Sequence, residues 1–329
     1  MGFTRLPPLT VLDLIGTDAA KILNNLCSAG ILNLVSGDGV EAFVTDVRGR
    51  TLGHVCVFSL GDRLRLIGAA GQAERIASHV DRYTIREDVR CQDRSGEWLG
   101  VLVDAETLRQ IAPVVDPEPL LSTTEQVKLA WRSLDAGPSR TNSGEAEIAE
   151  AALAYRVPWT AATPILLAGP AETLREWAPD GSAVDWAEEP LDFHRDRVSN
   201  RFPWYGIDLD DRNLPQEADR DALAISFTKG CYLGQETVAR LDALGQVQKK
   251  LVRWRIEAAE PPPLGTELRA DDRVVGRLTT VVPGESPGTW EALGFARRSH
   301  FDAESEATWE VEGRPATRAV VLPGPLRLG

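Results

Sequence analysis

A chain of 329 residues with 43% hydrophobic side chains predicts roughly two or three globular domains. Its net charge of −13 argues against a broad nucleic-acid surface, which needs clustered Lys and Arg, and predicts no direct nucleic-acid partner while leaving room for a local basic pocket that takes an anionic ligand. Four widely separated cysteines without a C-x-x-C, no apolar leader at the N-terminus and no run long enough to cross a bilayer predict a cytoplasmic chain with free thiols, no metal site and no membrane contact.

In chain order, residues 9–15 read as a strand. Gly16-Thr17-Asp18 then opens a helix, with Thr17 or Asp18 as N-cap and Ala19, Ile22, Leu23 and Leu26 at helical spacing. Residues 41–45 and 51–59 are strand-like around the turn Val47-Arg48-Gly49-Arg50. Gly61-Asp62 leads into an alternating strand at 63–67, a hairpin pattern. An amphipathic helix follows over 71–82, then a strand over 97–103 and a helix from an Asp104 cap to Ile111. Residues 133–147 are polar and rich in breakers, either a surface loop or a linker, and 164–178 read as a strand then a helix. A strand at 251–256 ends before Pro261-Pro262-Pro263. Short strands near 266–270, 273–282, 291–296, 306–312 and 315–321 follow, the pattern of a small barrel or sandwich. The expected class is α+β with antiparallel sheets, divided into a body over 1–248 and a β domain over 249–329.

Residues 228–240 read Thr-Lys-Gly-Cys-Tyr-Leu-Gly-Gln-Glu-Thr-Val-Ala-Arg. Gly230 and Gly234 bracket Cys231 and permit backbone angles that other residues resist. After Gly234 the pattern turns helical, with Gln235 and Glu236 in the first turn and Glu236 and Arg240 spaced to pair on one face. Cys231 then precedes a helix N-terminus beside Lys229, where dipole and charge favour the thiolate. The plainer alternative is a glycine-bounded turn holding a buried cysteine.

The string Lys229-Gly230-Cys231-Tyr232-x-Gly234-Gln235-Glu236-x-x-x-Arg240 resembles, at all its specified positions, the signature of the YgfZ-type folate-binding proteins. These are relatives of the aminomethyltransferase (T-protein) of the glycine cleavage system, and mitochondrial iron–sulfur assembly factors share the signature. The opening Gly16-x-Asp18-Ala19 resembles the family's start, and Arg197, Pro203, Gly206 and Asp208 keep a second family frame. The resemblance implies a T-protein-like fold of two interleaved α+β units with a small C-terminal β-barrel. It implies tetrahydrofolate as cofactor, a monomer, and partners among iron–sulfur enzymes or assembly proteins, tRNA-modifying enzymes included. Cys231 is then the functional thiol, with Lys229, Gly230, Tyr232, Gly234, Gln235, Glu236 and Arg240 shaping its surroundings.

Two departures shape that expectation. The family glutamate that helps hold the pterin falls on Ser199, and a glycine of the frame falls on Arg201. A hydroxyl offers an aminopyrimidine edge less than a carboxylate does. Glu217, in Leu214-Pro215-Gln216-Glu217, is either its substitute or a loop carboxylate. The paired aspartates that serve aminomethyl transfer in T-proteins fall on Gly53 and His54. An accessory role is therefore expected, with a one-carbon transferase and a non-catalytic scaffold as alternatives.

Arg197, Ser199, Trp204, Tyr205 and Glu217 are the candidate cofactor-binding residues. Trp204 and Tyr205 either wall a flat heterocycle or pack at a domain junction. Arg48 and Arg50 are either a carboxylate site or solvated arginines. His54 reads as a hydrogen-bonded strand residue, and His54, His79, His194 and His300 are scattered, with no metal pattern.

Overall fold

The computed structural model describes residues 3–113, 115, 117, 120, 129–134, 151–160, 165–176, 190–243, 247–310 and 317–324. Strands β1 (Phe3–Arg5) and β2 (Leu9–Ile15) lead to α1 (Ala19–Leu26), β3 (Asp38–Thr45), β4 (Thr51–Ser59) and β5 (Arg63–Ala69). Then come α2 (Ala73–Tyr83), β6 (Arg90–Asp93), β7 (Trp98–Val103), α3 (Ala105–Ile111), β8 (Leu129–Ser133), β9 (Leu153–Arg156) and β10 (Ile165–Pro170). Helices α4 (Ala171–Glu176) and α5 (Leu191–Ser199), a 3-10 turn (Pro215–Ala218), α6 (Asp221–Ala224) and α7 (Gln235–Ala243) follow. Strands β11 (Lys249–Glu257), β12 (Glu267–Ala270), β13 (Arg273–Pro283), β14 (Thr289–Arg297), β15 (Glu306–Trp309) and β16 (Thr317–Leu322) end the chain's regular structure.

The first ten strands form one sheet in the order β1-β7-β10-β9-β8-β3-β4-β5-β2-β6. Its two halves are interleaved in sequence. β1 pairs antiparallel with β7 in one half, and β2, four residues on, pairs with β5 and β6 in the other. The last six strands close into a barrel, β11-β14-β13-β12-β15-β16, in which β11 pairs with both β14 and β16 and no edge is left open.

Helix α1 buries Ala19, Ile22, Leu23 and Leu26, as their spacing predicts. Asp104 caps α3 by accepting from Thr107 N at 2.7 Å. Asp18 holds the N-cap position of α1 without capping it; its carboxylate instead accepts from Asp88 N at 2.9 Å.

The expected alternation of β5 is absent, because the strand is buried on both faces: Leu64 and Leu66 join the core that α1 and α2 cover, and Ile67 joins the core beneath the aromatic residues of 155–205. Arg65 is tolerated there because Asp13 binds it at 2.7 and 2.8 Å. Most of the expected loop at 133–147 lies outside the described residues. Among those described, no helix is long and apolar enough to cross a membrane.

Candidate functional site

The signature enters α7 as a loop laid along the end of α1. Ser226 N donates to Ser28 O at 2.9 Å, Leu233 N donates to Asn25 O at 2.8 Å, and Thr45 Oγ1 donates to Leu233 O at 2.7 Å. Gly234 has φ +81°, and a Cβ on it would lie 2.5 Å from Asp46 O and from Gly49 Cα. The turn before β4 therefore packs directly on the signature, a fit only glycine permits. Gly230 is different. It has no positive φ, and a Cβ there would meet nothing within 4 Å.

Between these anchors Cys231 is exposed, which removes the buried-cysteine alternative. It stands four residues ahead of Gln235, the first residue of α7, not at the cap. Its neighbour Lys229 has its ammonium engaged by α1 and the residues after it. The ammonium donates to Asn24 O at 2.6 Å, Cys27 O at 2.9 Å and Ala29 O at 2.6 Å, with the Tyr232 ring 5.0 Å off. The charge expected beside Cys231 thus serves α1 and neighbours Cys27. Tyr232 is buried, and its N donates to Gln235 Oε1 at 3.3 Å. The expected pairing of Glu236 with Arg240 is not made: both side chains are exposed, no ion pair joins them among the described residues, and such a surface pair contributes little.

The other thiols lie in a different environment. Burial pushes the Cys27 thiol up against the pull of the Lys229 ammonium, and it pushes Cys56 up with the Glu41 carboxylate adding to the rise. Burial also raises Cys91, to about 11, and Tyr232, to about 12.

A second constellation lies in the core. A small pocket is lined by His54 and Cys56 of β4 with Trp159, Phe202, Trp204 and Tyr205 among its other walls. Antiparallel register places Phe43 opposite His54 and Glu41 opposite Cys56. The His54 ring stacks between Phe43 and Phe202 at 4.4 and 5.2 Å, and its Nε2 is 2.7 Å from Glu41 Oε1. Arg220 clamps the same carboxylate through Nε and, at 2.6 Å, through Nη2. Burial works to raise the Glu41 carboxyl, but the Arg220 guanidinium and the hydrogen bonds of His54 and Arg220 outweigh it and bring it down to about 2. Tyr205 Oη accepts from Arg75 Nη1 at 2.9 Å and donates to Thr51 O at 3.3 Å.

Of the five candidate cofactor residues, only Trp204 and Tyr205 reach this cavity. Arg197 is fully buried and occupied: Nε donates to His194 Nδ1 at 2.8 Å, Nη1 to Asp208 Oδ2 at 2.6 Å and Phe202 O at 3.3 Å, and Nη2 to Thr280 Oγ1 of β13 at 2.8 Å. Arg197 and Asp208, the two ends of the family frame, are a brace between the sheet body and the barrel. Ser199 ends α5, where its carbonyl accepts from Arg253 Nη1 of β11 at 3.0 Å.

Glu217 is a buried capping carboxylate and not a free substitute. It accepts from Asn213 Nδ2 at 2.7 Å and Leu214 N at 3.4 Å, and lies 3.3 Å from Lys249 Nζ. The pocket is also far smaller than the roughly 300 Å³ at which small-molecule sites begin. These residues do not fit a folate held in the family manner.

No family model matches the chain. The mitochondrial iron-sulfur cluster assembly factor IBA57 homolog of Pyricularia oryzae is 26% identical over 317 residues, 88% of this chain and 68% of that protein. The tRNA-modifying protein YgfZ of Hamiltonella defensa is 39% identical over 87 residues, 26% of each. The crystal structure of glycine cleavage system aminomethyltransferase T from Bartonella henselae superposes with a TM-score of 0.77 over 98% of this chain and 85% of that one, at 15% identity, a likeness of fold.

Relatives named as YgfZ, IBA57 and aminomethyltransferase, together with the T-protein fold, support a YgfZ/T-protein-like family. In its shorter alignments the chain spans about a quarter of the length of its curated relatives. Within the YgfZ/T-protein-like fold, the sequence reading missed Glu41 and Arg220, which lie 179 residues apart and carry no local signal for each other. It also missed the carbonyls that hold Lys229, since any residue supplies a carbonyl and only the fold brings these together.

Proposed function

We propose that this chain is an accessory protein for iron–sulfur cluster assembly or repair, and for iron–sulfur enzymes such as those modifying tRNA, with Cys231 as its functional thiol. The observation that carries this reading is the exposure of Cys231 on a loop whose neighbours, Lys229 and Tyr232, are anchored. Relatives named as a cluster assembly factor and as tRNA-modifying proteins support it. Among the described residues no group of three or more His, Cys, Asp or Glu side chains gathers as metal ligands. A cluster handled at Cys231 therefore takes its other ligands from the client protein or from small thiols. The free thiols suit a reducing compartment.

Tetrahydrofolate, which the family resemblance implies, enters no step of this reading, because the residues assigned to it do not converge. An aminomethyltransferase relative aligns along the chain, but the residues oppose that reaction here: by the resemblance Gly53 and His54 fall at the aspartate positions, and His54 is already engaged by Glu41.

The test is complementation of a cell lacking the corresponding accessory protein, read as iron–sulfur enzyme activity and tRNA modification. Wild type should restore both. Cys231→Ser should restore neither while remaining folded; full restoration by Cys231→Ser overturns the role of the thiol.

A further inference from the structure

The C-terminal end of α1 has carbonyls that no further helical turn satisfies, and the helix dipole makes that end attractive to a cation. Lys229 supplies the cation from two hundred residues away. Its three N–H donors match three acceptors, Asn24 O, Cys27 O and Ala29 O, at 2.6 to 2.9 Å. Ala29 O has a second tenant, the Cys27 thiol, whose Sγ is 3.5 Å away. Cys27 is fully buried behind this contact. Outside it the chain rises into a short tip, Gly230 with open space around it and Cys231 exposed, before Leu233 N returns to Asn25 O. The root of the tip is thus one ammonium in a cage of main-chain carbonyls.

We propose that Lys229 is a positioning residue: its ammonium closes the carbonyl cage at the end of α1, holding the Gly230–Cys231 tip outward and sealing Cys27 from solvent. This role rests on the reading of Cys231 as the functional thiol and adds to it. A side chain without N–H donors leaves the three carbonyls competing for water, so the tip loses its anchor and local opening exposes Cys27. The cage selects for an ammonium and not for bulk, so a small external ammonium can stand in for the missing head group.

The experiment compares wild type with Lys229→Met in the full chain. Alkylation of Cys27 and Cys231 is followed by mass spectrometry, and amide exchange is followed at Leu233. Wild type should label Cys231 and spare Cys27. Lys229→Met should label Cys27 roughly tenfold faster and exchange the Leu233 amide faster. Methylammonium should restore protection of Cys27, and tetramethylammonium, which has no N–H, should not. Unchanged protection at Cys27 and Leu233 in Lys229→Met overturns the proposal, as does equal rescue by both cations. If Lys229→Met is globally unfolded, its refolding by methylammonium and by tetramethylammonium is measured instead, and equal refolding by both, or by neither, counts equally against the proposal. The two readings fail separately. An opened cage in Lys229→Met beside a fully complementing Cys231→Ser removes the functional thiol and leaves the positioning role. A closed cage beside an inactive Cys231→Ser does the reverse.

Discussion

Gly49 and Gly234 meet backbone against backbone. Both have positive φ, +76° and +81°, and a Cβ on Gly234 would lie 2.5 Å from Gly49 Cα and 2.6 Å from Gly49 N. This contact docks the Asp46–Arg50 turn on the signature loop. Gly234→Ala is expected to destabilise the protein by about 1–3 kcal/mol, since it meets both the backbone strain and the collision. Gly230→Ala, in open space, is expected to stay within about 0.5 kcal/mol of wild type. Urea unfolding of both variants checks the contrast, and equal losses would show that the glycine contact is not what sets the fit.

Arg197 and Asp208 form a buried pair at 2.6 Å that also binds Thr280 of the barrel. Removing one partner strands the other charge, so Arg197→Met and Asp208→Asn should each cost about 3–5 kcal/mol. The paired exchange Arg197→Met with Asp208→Asn should cost less than the sum of the two single changes, because no lone charge remains. Tryptophan fluorescence during urea unfolding reports all three. A near-neutral Asp208→Asn would mean the brace adds no stability.

Acid should weaken the fold in two steps. His194 is held down to about 4 by burial and by the Arg197 guanidinium, against an ordinary 6.5. A folded value below the unfolded one means the unfolded chain binds the extra proton, so this stability is whole above pH 6.5 and declines as pH falls to about 4. Glu41, held at about 2 against an ordinary 4.5, adds stability present above 4.5 that is lost as pH falls through 2. His194→Gln should flatten the first decline and Glu41→Gln the second. Urea midpoints measured down the pH range test this, and a slope unchanged in either variant assigns that decline to other groups.

Native-state alkylation near neutral pH should label Cys231 first. Cys91, half-buried and raised to about 11, should follow slowly. Cys27 and Cys56, buried with their thiols pushed up, should react only on opening. Site-resolved mass spectrometry gives the order, and Cys56 or Cys27 labelling ahead of Cys231 would contradict the exposed-tip geometry.

Several features of this chain were legible in the sequence because their causes are local. The spacing of Ala19, Ile22, Leu23 and Leu26 made α1, the Asp104 cap started α3, and short strands punctuated by Gly, Pro and Asp announced the barrel. The signature at 229–240 named the family through residue identity alone, and Gly234 had to be glycine for a backbone reason readable in the string. What the tertiary structure decided were the partners. Lys229 sits two residues from Cys231 in sequence yet delivers its charge to carbonyls two hundred residues earlier. Arg197 and Glu217 had the chemistry of ligand contacts and became a brace and a cap, because buried polar groups take whichever partners the fold brings within reach. The closing of β1 onto β7 and of Glu41 onto Arg220 depends on pairings far apart in the chain, which local periodicity does not encode.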